Sequence, residues 1–104
     1  MGAAAVNLPD LARKQNGQWF SAGRFLLISL VNGRVKGVRA ASGLTDIHER
    51  RLWEIVRGER LPSDRNRIIL QIKLGIPLVA WCLSPDYSPS QIDQIAHSGI
   101  SAKA

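Results

Sequence analysis

The feature that most constrains the fold of this chain is the run from Ser42 to Trp81, SGLTDIHERRLWEIVRGERLPSDRNRIILQIKLGIPLVAW. It contains two helix-sized segments, each with a turn signal in front of it. The first segment has Arg50, Arg51 and Arg57 around an apolar stripe. A short basic helix that is held against a small core after a tight turn can present its side chains to the DNA major groove. The run therefore indicates a helical unit that binds DNA.

Length and charge agree with this interpretation. The chain has 104 residues, which suit one compact domain, and 45% of them are hydrophobic, enough for a modest core. There are 14 Lys and Arg residues against 8 Asp and Glu residues, a net charge of +6. Most of the cations are Arg, whose planar fork suits phosphate and guanine better than Lys does. The balance favours a polyanionic partner.

Several functional classes receive no support from the residues present. A single cysteine, Cys82, cannot form an intramolecular disulfide, which fits a reducing cytoplasm. Its apolar neighbours predict a buried side chain. No segment is long and apolar enough for a membrane span, so neither a membrane location nor a membrane partner is expected. His48, His97 and Cys82 lack metal-ligand spacing, and no catalytic motif is present. We therefore expect no enzyme activity, catalytic residue, metal or cofactor.

The spacing of apolar residues predicts an all-α fold. Helices are expected over residues 8–14, 22–31, 34–41, 46–57, 64–74 and 89–97. Ser21, Thr45 and Ser63 are the expected N-caps of the second, fourth and fifth helices. The residues around Asn32-Gly33 also match a hairpin signal. We favour helix there because Val35, Val38 and Ala41 are spaced by three rather than two.

The same spacing predicts which side chains face inward and how the chain divides. The expected inward residues of the two central helices are Leu44, Leu52, Ile55, Val56, Ile68, Ile69, Ile72 and Leu74. Residues 1–18 are interpreted as an N-terminal arm with a short helix. Residues 19–83 are interpreted as the DNA-binding domain, and residues 84–104 as a linker, a short helix and a tail.

The central residues resemble one known family. Arg34–Ser42, a turn and Asp46–Arg57 have the proportions of a helix-turn-helix. Together with Leu52, Ile55, the run Gly58–Ser63 and a helix ending in Leu-Gly-Ile-Pro, this pattern resembles the phage repressor and Cro-like helix-turn-helix proteins. The resemblance covers about residues 34–81, and it implies a small helical bundle containing a helix-turn-helix of the phage-repressor type. One departure is that the stretch from Gly43 to Gly58 is about one turn longer than in common members.

The resemblance also implies roles for individual residues. Base edges would be contacted by residues around the first inward hydrophobe of the second helix. With Leu52 at that position, the base-contacting residues are Glu49, Arg50, Trp53 and Glu54. The phosphate-contacting residues are Arg34, Arg51, Arg57, Arg60 and Arg65. Alternatives remain open: the arginines could only solvate the outer face, Trp53 could lie in the core or a dimer contact, and the glutamates could pair with arginines of their own helix.

These expectations combine into a function hypothesis. The chain is interpreted as a sequence-specific transcriptional regulator that binds double-stranded DNA as a homodimer. The expected outcome is repression at an operator of a phage, plasmid or bacterial genome. An alternative is a protein-interaction module that uses the same scaffold to bind RNA polymerase or another regulator. A third is a packaging or recombination accessory that binds DNA with little sequence choice.

Overall fold

The computed structural model describes residues 10–97, which form five α-helices, one 3₁₀-helix and one two-stranded sheet. The elements in chain order are β1 (Arg13–Gln15), β2 (Gln18–Phe20), α1 (Ala22–Val31), α2 (Val38–Thr45), α3 (Glu49–Val56), α4 (Asp64–Leu74), the 3₁₀-helix Leu78–Cys82 and α5 (Pro89–His97). The fold is mostly helical, as predicted, but the sheet means that the prediction of an all-α fold was wrong in that part.

The sheet is a hairpin near the start of the described chain. β1 and β2 are antiparallel, and Lys14 lies opposite Trp19. Asn16 and Gly17 join them with φ values of 53° and 78°, and positive φ at both central residues is what a type I′ hairpin turn requires. The predicted helix over residues 8–14 is therefore wrong for residues 10–14, because cross-strand pairing replaces helical bonding there. Residues 8 and 9 lie outside the described residues, and the proposed boundary after residue 18 falls inside β2.

α1 has the predicted bounds, so the alternative hairpin around Asn32-Gly33 was wrong. Ser21 accepts a hydrogen bond from the Arg24 backbone N–H at 3.1 Å, which makes it the N-cap. At the other end, the Asn32 N–H donates to the Ile28 carbonyl at 3.0 Å and the Gly33 N–H to the Leu30 carbonyl at 3.1 Å. The backbone thus continues in helical turns through Asn32 instead of reversing as a strand pair.

α2 lies four residues later than predicted. Lys36 and Gly37 have φ values of 62° and 111°, which no right-handed helix tolerates, so the helix begins only at Val38. Thr45 is its last residue and not the N-cap of the next helix, which was the prediction. Its Oγ1 donates to the Ala41 carbonyl at 2.8 Å and accepts from the Ile47 N–H at 3.2 Å.

α3 is shorter than the predicted helix 46–57. Asp46 has φ 64°, a left-handed conformation that separates α2 from α3. The N-cap is His48, whose Nδ1 accepts from the Arg50 N–H at 3.1 Å. The predicted stop at Gly58 is confirmed, since Gly58 has φ 80° and its N–H donates to the Ile55 carbonyl at 3.1 Å.

α4 and α5 have the predicted bounds. The Ser63 hydroxyl accepts from the Asn66 N–H at 3.2 Å as the N-cap of α4, and Gly75 ends that helix in the left-handed conformation. Pro77 begins the segment that leads into the 3₁₀-helix, and α5 packs on that segment through the buried Ile92. Within residues 10–97, no helix combines the length and apolar character needed to cross a membrane.

The core lies between α1, α2, α3, α4 and the 3₁₀-helix. Its largest fully buried side chains are Trp81, Leu27, Leu52, Ile55, Leu70, Ile76, Leu83 and Ile92. Burial of Leu52 and Ile55 confirms the predicted inner face of α3. Ile69 and Val56 are half-buried and pack against this core, while Leu74 is buried as predicted.

Four burial predictions were wrong. Leu44 is 55% exposed, because the later start of α2 places it in the last turn of that helix and not before α3. On α4, Ile68 and Ile72 are 48% and 70% exposed. That helix has more apolar residues than its neighbours can cover, and Leu70 and Leu74, four residues apart, occupy the buried side instead. Cys82 is exposed, although the residue before it, Trp81, is buried.

Candidate nucleic-acid interface

α3 exposes one basic and aromatic face. Leu52 and Ile55 are each only 1% exposed and hold the helix against α1 and α2. Arg50, Trp53 and Arg57 follow one another at spacings of three and four residues, so they lie on the opposite side. All three are exposed, and Trp53 keeps 41% of its surface in solvent. The outward placement expected for these residues is confirmed, and Trp53 does not belong to the core.

The turn in front of α3 is held by side-chain hydrogen bonds. The Ser42 hydroxyl donates to the Ile47 carbonyl at 2.6 Å, while Thr45 bonds both Ala41 and Ile47. Thr45 is buried, so water does not compete with its bonds. These contacts set the direction in which α3 leaves α2 and hence the direction of its exposed face.

Shallow grooves on this side of the molecule meet at Arg51. One of about 360 Å³ is lined by Arg51, Arg60, Leu61, Ser63 and Asn66. A second of about 220 Å³ is lined by Asp46, Ile47, His48, Arg51, Arg65, Asn66 and Ile69. A third of about 280 Å³ is lined by His48, Arg50, Arg51 and Glu54. The structure thus brings Arg50, Arg51, Arg60 and Arg65 to one continuous surface at the start of α3 and α4.

Glu54 lies between two of these arginines. Its Oε1 is 3.4 Å from Arg51 Nη1 and 3.2 Å from Arg60 Nε. Glu54 Oε1 is buried and has no hydrogen-bond partner among the described residues, so both contacts are ion pairs and not hydrogen bonds. The pairing with Arg51 is the same-helix alternative that the sequence left open for Glu54. Glu54 is therefore not a free acceptor in this structure.

Arg57 also has protein partners. Its Nε lies 3.1 Å from Glu59 Oε2, and its guanidinium carbon lies 5.7 Å from the centre of the Trp53 ring. Both contacts are exposed, so each is weak by itself and exchangeable. Together they hold the guanidinium beside the indole at the C-terminal end of α3.

Neither Arg34 nor Glu49 lines these three grooves. Arg34 Nη2 donates to the Leu74 carbonyl at 3.2 Å, which places Arg34 at the C-terminal end of α4. The groove with Ser63 and Asn66 lies at the opposite end of that helix. Glu49 is half-buried in the first turn of α3, where a carboxylate suits the positive end of the helix dipole.

Sequence reasoning missed Arg24, which connects α1, β2 and α3. Its Nε donates to the Val56 carbonyl at 2.8 Å and its Nη1 to the Trp19 carbonyl at 3.1 Å. Its guanidinium carbon lies 5.5 Å from the Phe20 ring centre and 5.3 Å from that of Phe25. These partners are distant in the chain, so no local pattern could identify the contact, although an Arg between two aromatic residues was a weak signal.

Comparison of the chain with protein-family models, with curated proteins and with solved structures found no match. Among residues 10–97, no group of three or more His, Cys, Asp or Glu residues is arranged to hold a metal ion. The candidate site consists of the exposed face of α3 and the arginine-lined grooves beside it.

Proposed function

We propose that the protein is a sequence-specific DNA-binding transcriptional regulator, with α2 and α3 acting as a helix-turn-helix of the phage-repressor type. Two helices joined by a three-residue turn, Asp46–His48, have the proportions of that motif. Asp46 has the positive φ that glycine often supplies in such turns. The stretch from Gly43 to Gly58 is longer than in common phage-repressor proteins. Its first residues, Gly43 to Thr45, form the last turn of α2, so the turn that connects α2 to α3 stays short.

The exposed face of α3 is the observation that carries the proposal. An α-helix is about 10–12 Å in diameter with its side chains, and the major groove is about 12 Å wide. α3 has a buried side to anchor it and an exposed side bearing Arg50, Trp53 and Arg57. Among residues 10–97, no ion pair engages the Arg50 guanidinium, which is therefore available to guanine O6 and N7.

The neighbouring residues fit supporting roles in the same proposal. Arg51, Arg60 and Arg65 line the grooves beside α3 and suit phosphate oxygens. On binding, the Arg57 guanidinium would leave Glu59 and contact a phosphate oxygen. In the free protein, Glu54 would hold the Arg51 and Arg60 side chains in place. Glu49 suits a cytosine amino group, and Trp53 suits a thymine methyl group. Arg34 has no part in this proposal, because its guanidinium donates to the Leu74 carbonyl at the opposite end of α4 from the grooves.

Regulation would follow from occupation of an operator. A homodimer in the cytoplasm would place two copies of α3 in successive major grooves and exclude polymerase from the promoter. This arrangement supplies more base contacts than a single eight-residue helix can make.

The proposal is tested by replacing two arginines of α3 separately. A preferred duplex is first selected from a random pool with the wild-type protein. Arg50→Ala should weaken binding to that duplex by about 1–3 kcal/mol and relax the choice at one base pair. Arg57→Ala should weaken binding to preferred and scrambled duplexes alike. It should also lower by about one unit the salt slope, which is the steepness with which log affinity falls as log salt concentration rises.

Lys73→Ala is the matched control, since Lys73 is exposed in the last turn of α4, about 14 Å along the helix from its N-terminus. It should leave affinity and slope unchanged. If Arg50→Ala and Arg57→Ala both bind DNA as the wild type does, α3 is not the recognition helix or the protein does not bind DNA.

A protein-interaction module is the second candidate, and the exposure of Trp53 favours it. Large aromatic side chains are enriched at protein interfaces. In that case the random-duplex selection would enrich no sequence, whereas Trp53→Ala would abolish binding to RNA polymerase or to another regulator.

A further inference from the structure

The segment that holds α3 has no net charge of its own. From Asp46 to Arg65 there are five arginines and five acidic residues, so the whole of the net +6 lies elsewhere in the chain. Each phosphate that a cation of the protein contacts adds to the salt dependence of DNA affinity, so cations outside this segment can add to it. We propose that the β1–β2 hairpin is a second DNA-contacting element, in which Arg13 and Lys14 bind the phosphate backbone beside the groove occupied by α3. This inference rests on the proposed function.

The hairpin is attached to the C-terminal end of α3. The Trp19 N–H donates to the Gly58 carbonyl at 2.8 Å, and the Gln18 side-chain amide donates to the Arg57 carbonyl at 3.1 Å. Arg24 bonds the Trp19 and Val56 carbonyls with one guanidinium. Any surface that covers Arg57 therefore also lies beside the hairpin.

The base of the hairpin is held as well. The Ala12 N–H donates to the Cys82 carbonyl at 2.8 Å, and Leu11 pairs with Leu83 in an isolated antiparallel bridge. Because both ends are bonded to the helical core, the hairpin is already ordered before DNA arrives. Binding to it then costs little additional conformational entropy.

The position of the hairpin directs it to phosphate and not to bases. A helix the size of α3 fills the width of the major groove, so an element attached beside its end faces the edge of that groove. Lys14 lies opposite Trp19, and neighbouring strands are about 4.8 Å apart. The Lys14 backbone thus lies about two strand spacings, roughly 10 Å, from Gly58 at the end of α3, and Arg13 and Lys14, as neighbours in a strand, extend from opposite faces of the hairpin. Each cation would therefore meet a different phosphate along the border of the groove.

The charge of the hairpin suits this position. Residues 11–20 contain Arg13 and Lys14 and no acidic residue. Within the described part of the chain neither cation forms an ion pair, and the Lys14 ammonium lies 6.0 Å from the Trp19 ring centre. By contrast, Arg24, Arg34 and Arg67 donate to backbone carbonyls of the protein. Arg13 and Lys14 are free to meet phosphate.

The test measures salt slopes for Lys14→Ala, Arg13→Ala and the control Lys73→Ala on the duplex selected with the wild type and on a scrambled duplex. Each hairpin variant should lower the slope by about 0.9 on both duplexes, and the double variant should bind both roughly tenfold more weakly. Lys73→Ala should leave the slope unchanged. Phosphate-ethylation interference should show that the double variant loses a subset of the phosphates required by the wild type.

Each other outcome has a distinct meaning. One outcome is that the wild type selects and binds a duplex, while the hairpin variants have the same salt slope as the wild type and are blocked by ethylation of the same phosphates. That outcome overturns the hairpin inference and leaves the proposed function standing. Equal losses for Lys14→Ala and Lys73→Ala also overturn it, because they report general charge and not a local contact. If the wild type binds no duplex, the proposed function fails and this inference fails with it. Thermal melting of Lys14→Ala and Arg13→Ala excludes unfolding as the cause.

Discussion

Two helical glycines have opposite surroundings. Gly23 in α1 is buried, and a Cβ at that position would overlap the indole ring of Trp81, which is itself fully buried. Gly43 in α2 is exposed, and a Cβ there would meet nothing within 4 Å. The same substitution should therefore change stability in opposite directions at the two positions.

We predict that Gly23→Ala destabilises the protein by about 1–3 kcal/mol, because overlap with a packed core outweighs the helix propensity of alanine. Gly43→Ala should instead stabilise it by about 0.5–1 kcal/mol, since only the propensity changes. Urea denaturation of the two variants measures both values. A stable Gly23→Ala protein would show that Trp81 does not pack against α1 as described.

At the scale of elements, the turn between α2 and α3 depends on Thr45. Its hydroxyl donates to the Ala41 carbonyl and accepts from the Ile47 N–H, and it is 2% exposed. Thr45→Val keeps the shape but removes both bonds, so it should cost about 1–3 kcal/mol in the free energy of unfolding. Thr45→Ser retains the hydroxyl and should cost less.

The same variants report on function, because this turn aims α3. If α3 is the recognition helix, Thr45→Val should weaken binding to the selected duplex more than to a scrambled one, even at temperatures where the variant is folded. Circular dichroism melting and DNA titration provide the two readouts. Equal stability of Thr45→Val and the wild type would contradict the role of these bonds.

At the scale of the whole molecule, the proposed function predicts a two-fold homodimer. Recognition helices of such dimers lie about 34 Å apart, or a multiple of that distance, to enter successive major grooves. Residues 19–31 or residues 78–97 are the candidate contact segments, and each includes an exposed apolar side chain, Phe25 in the first and Leu78 in the second. Light scattering should give a dimer on DNA, and a monomer both free and on DNA would refute this prediction.

Some elements were predictable because their limits depend on local contacts. Ser21 and Ser63 each accept a hydrogen bond from a backbone N–H three residues later, and Gly75 supplies the left-handed stop of α4. These interactions involve neighbours in the chain, so sequence spacing alone identifies them. The outward face of α3 was predictable for the same reason, since Leu52 and Ile55 define its inner side.

Other features depend on contacts between distant residues, and only the tertiary structure decided them. The apolar residues of α4 allow several inward faces, and its neighbours select Leu70 over Ile68 and Ile72. Glu54 meets Arg60 only because the chain folds back after Gly58. Asn16-Gly17 is a local signal for a hairpin. The packing of that hairpin against the helices, however, depends on Arg24 in α1 and on Gly58 after α3, which are distant in the chain. Short-range hydrogen bonds therefore set where most helices begin and end, whereas long-range packing decided which faces are buried and which cations meet at one surface.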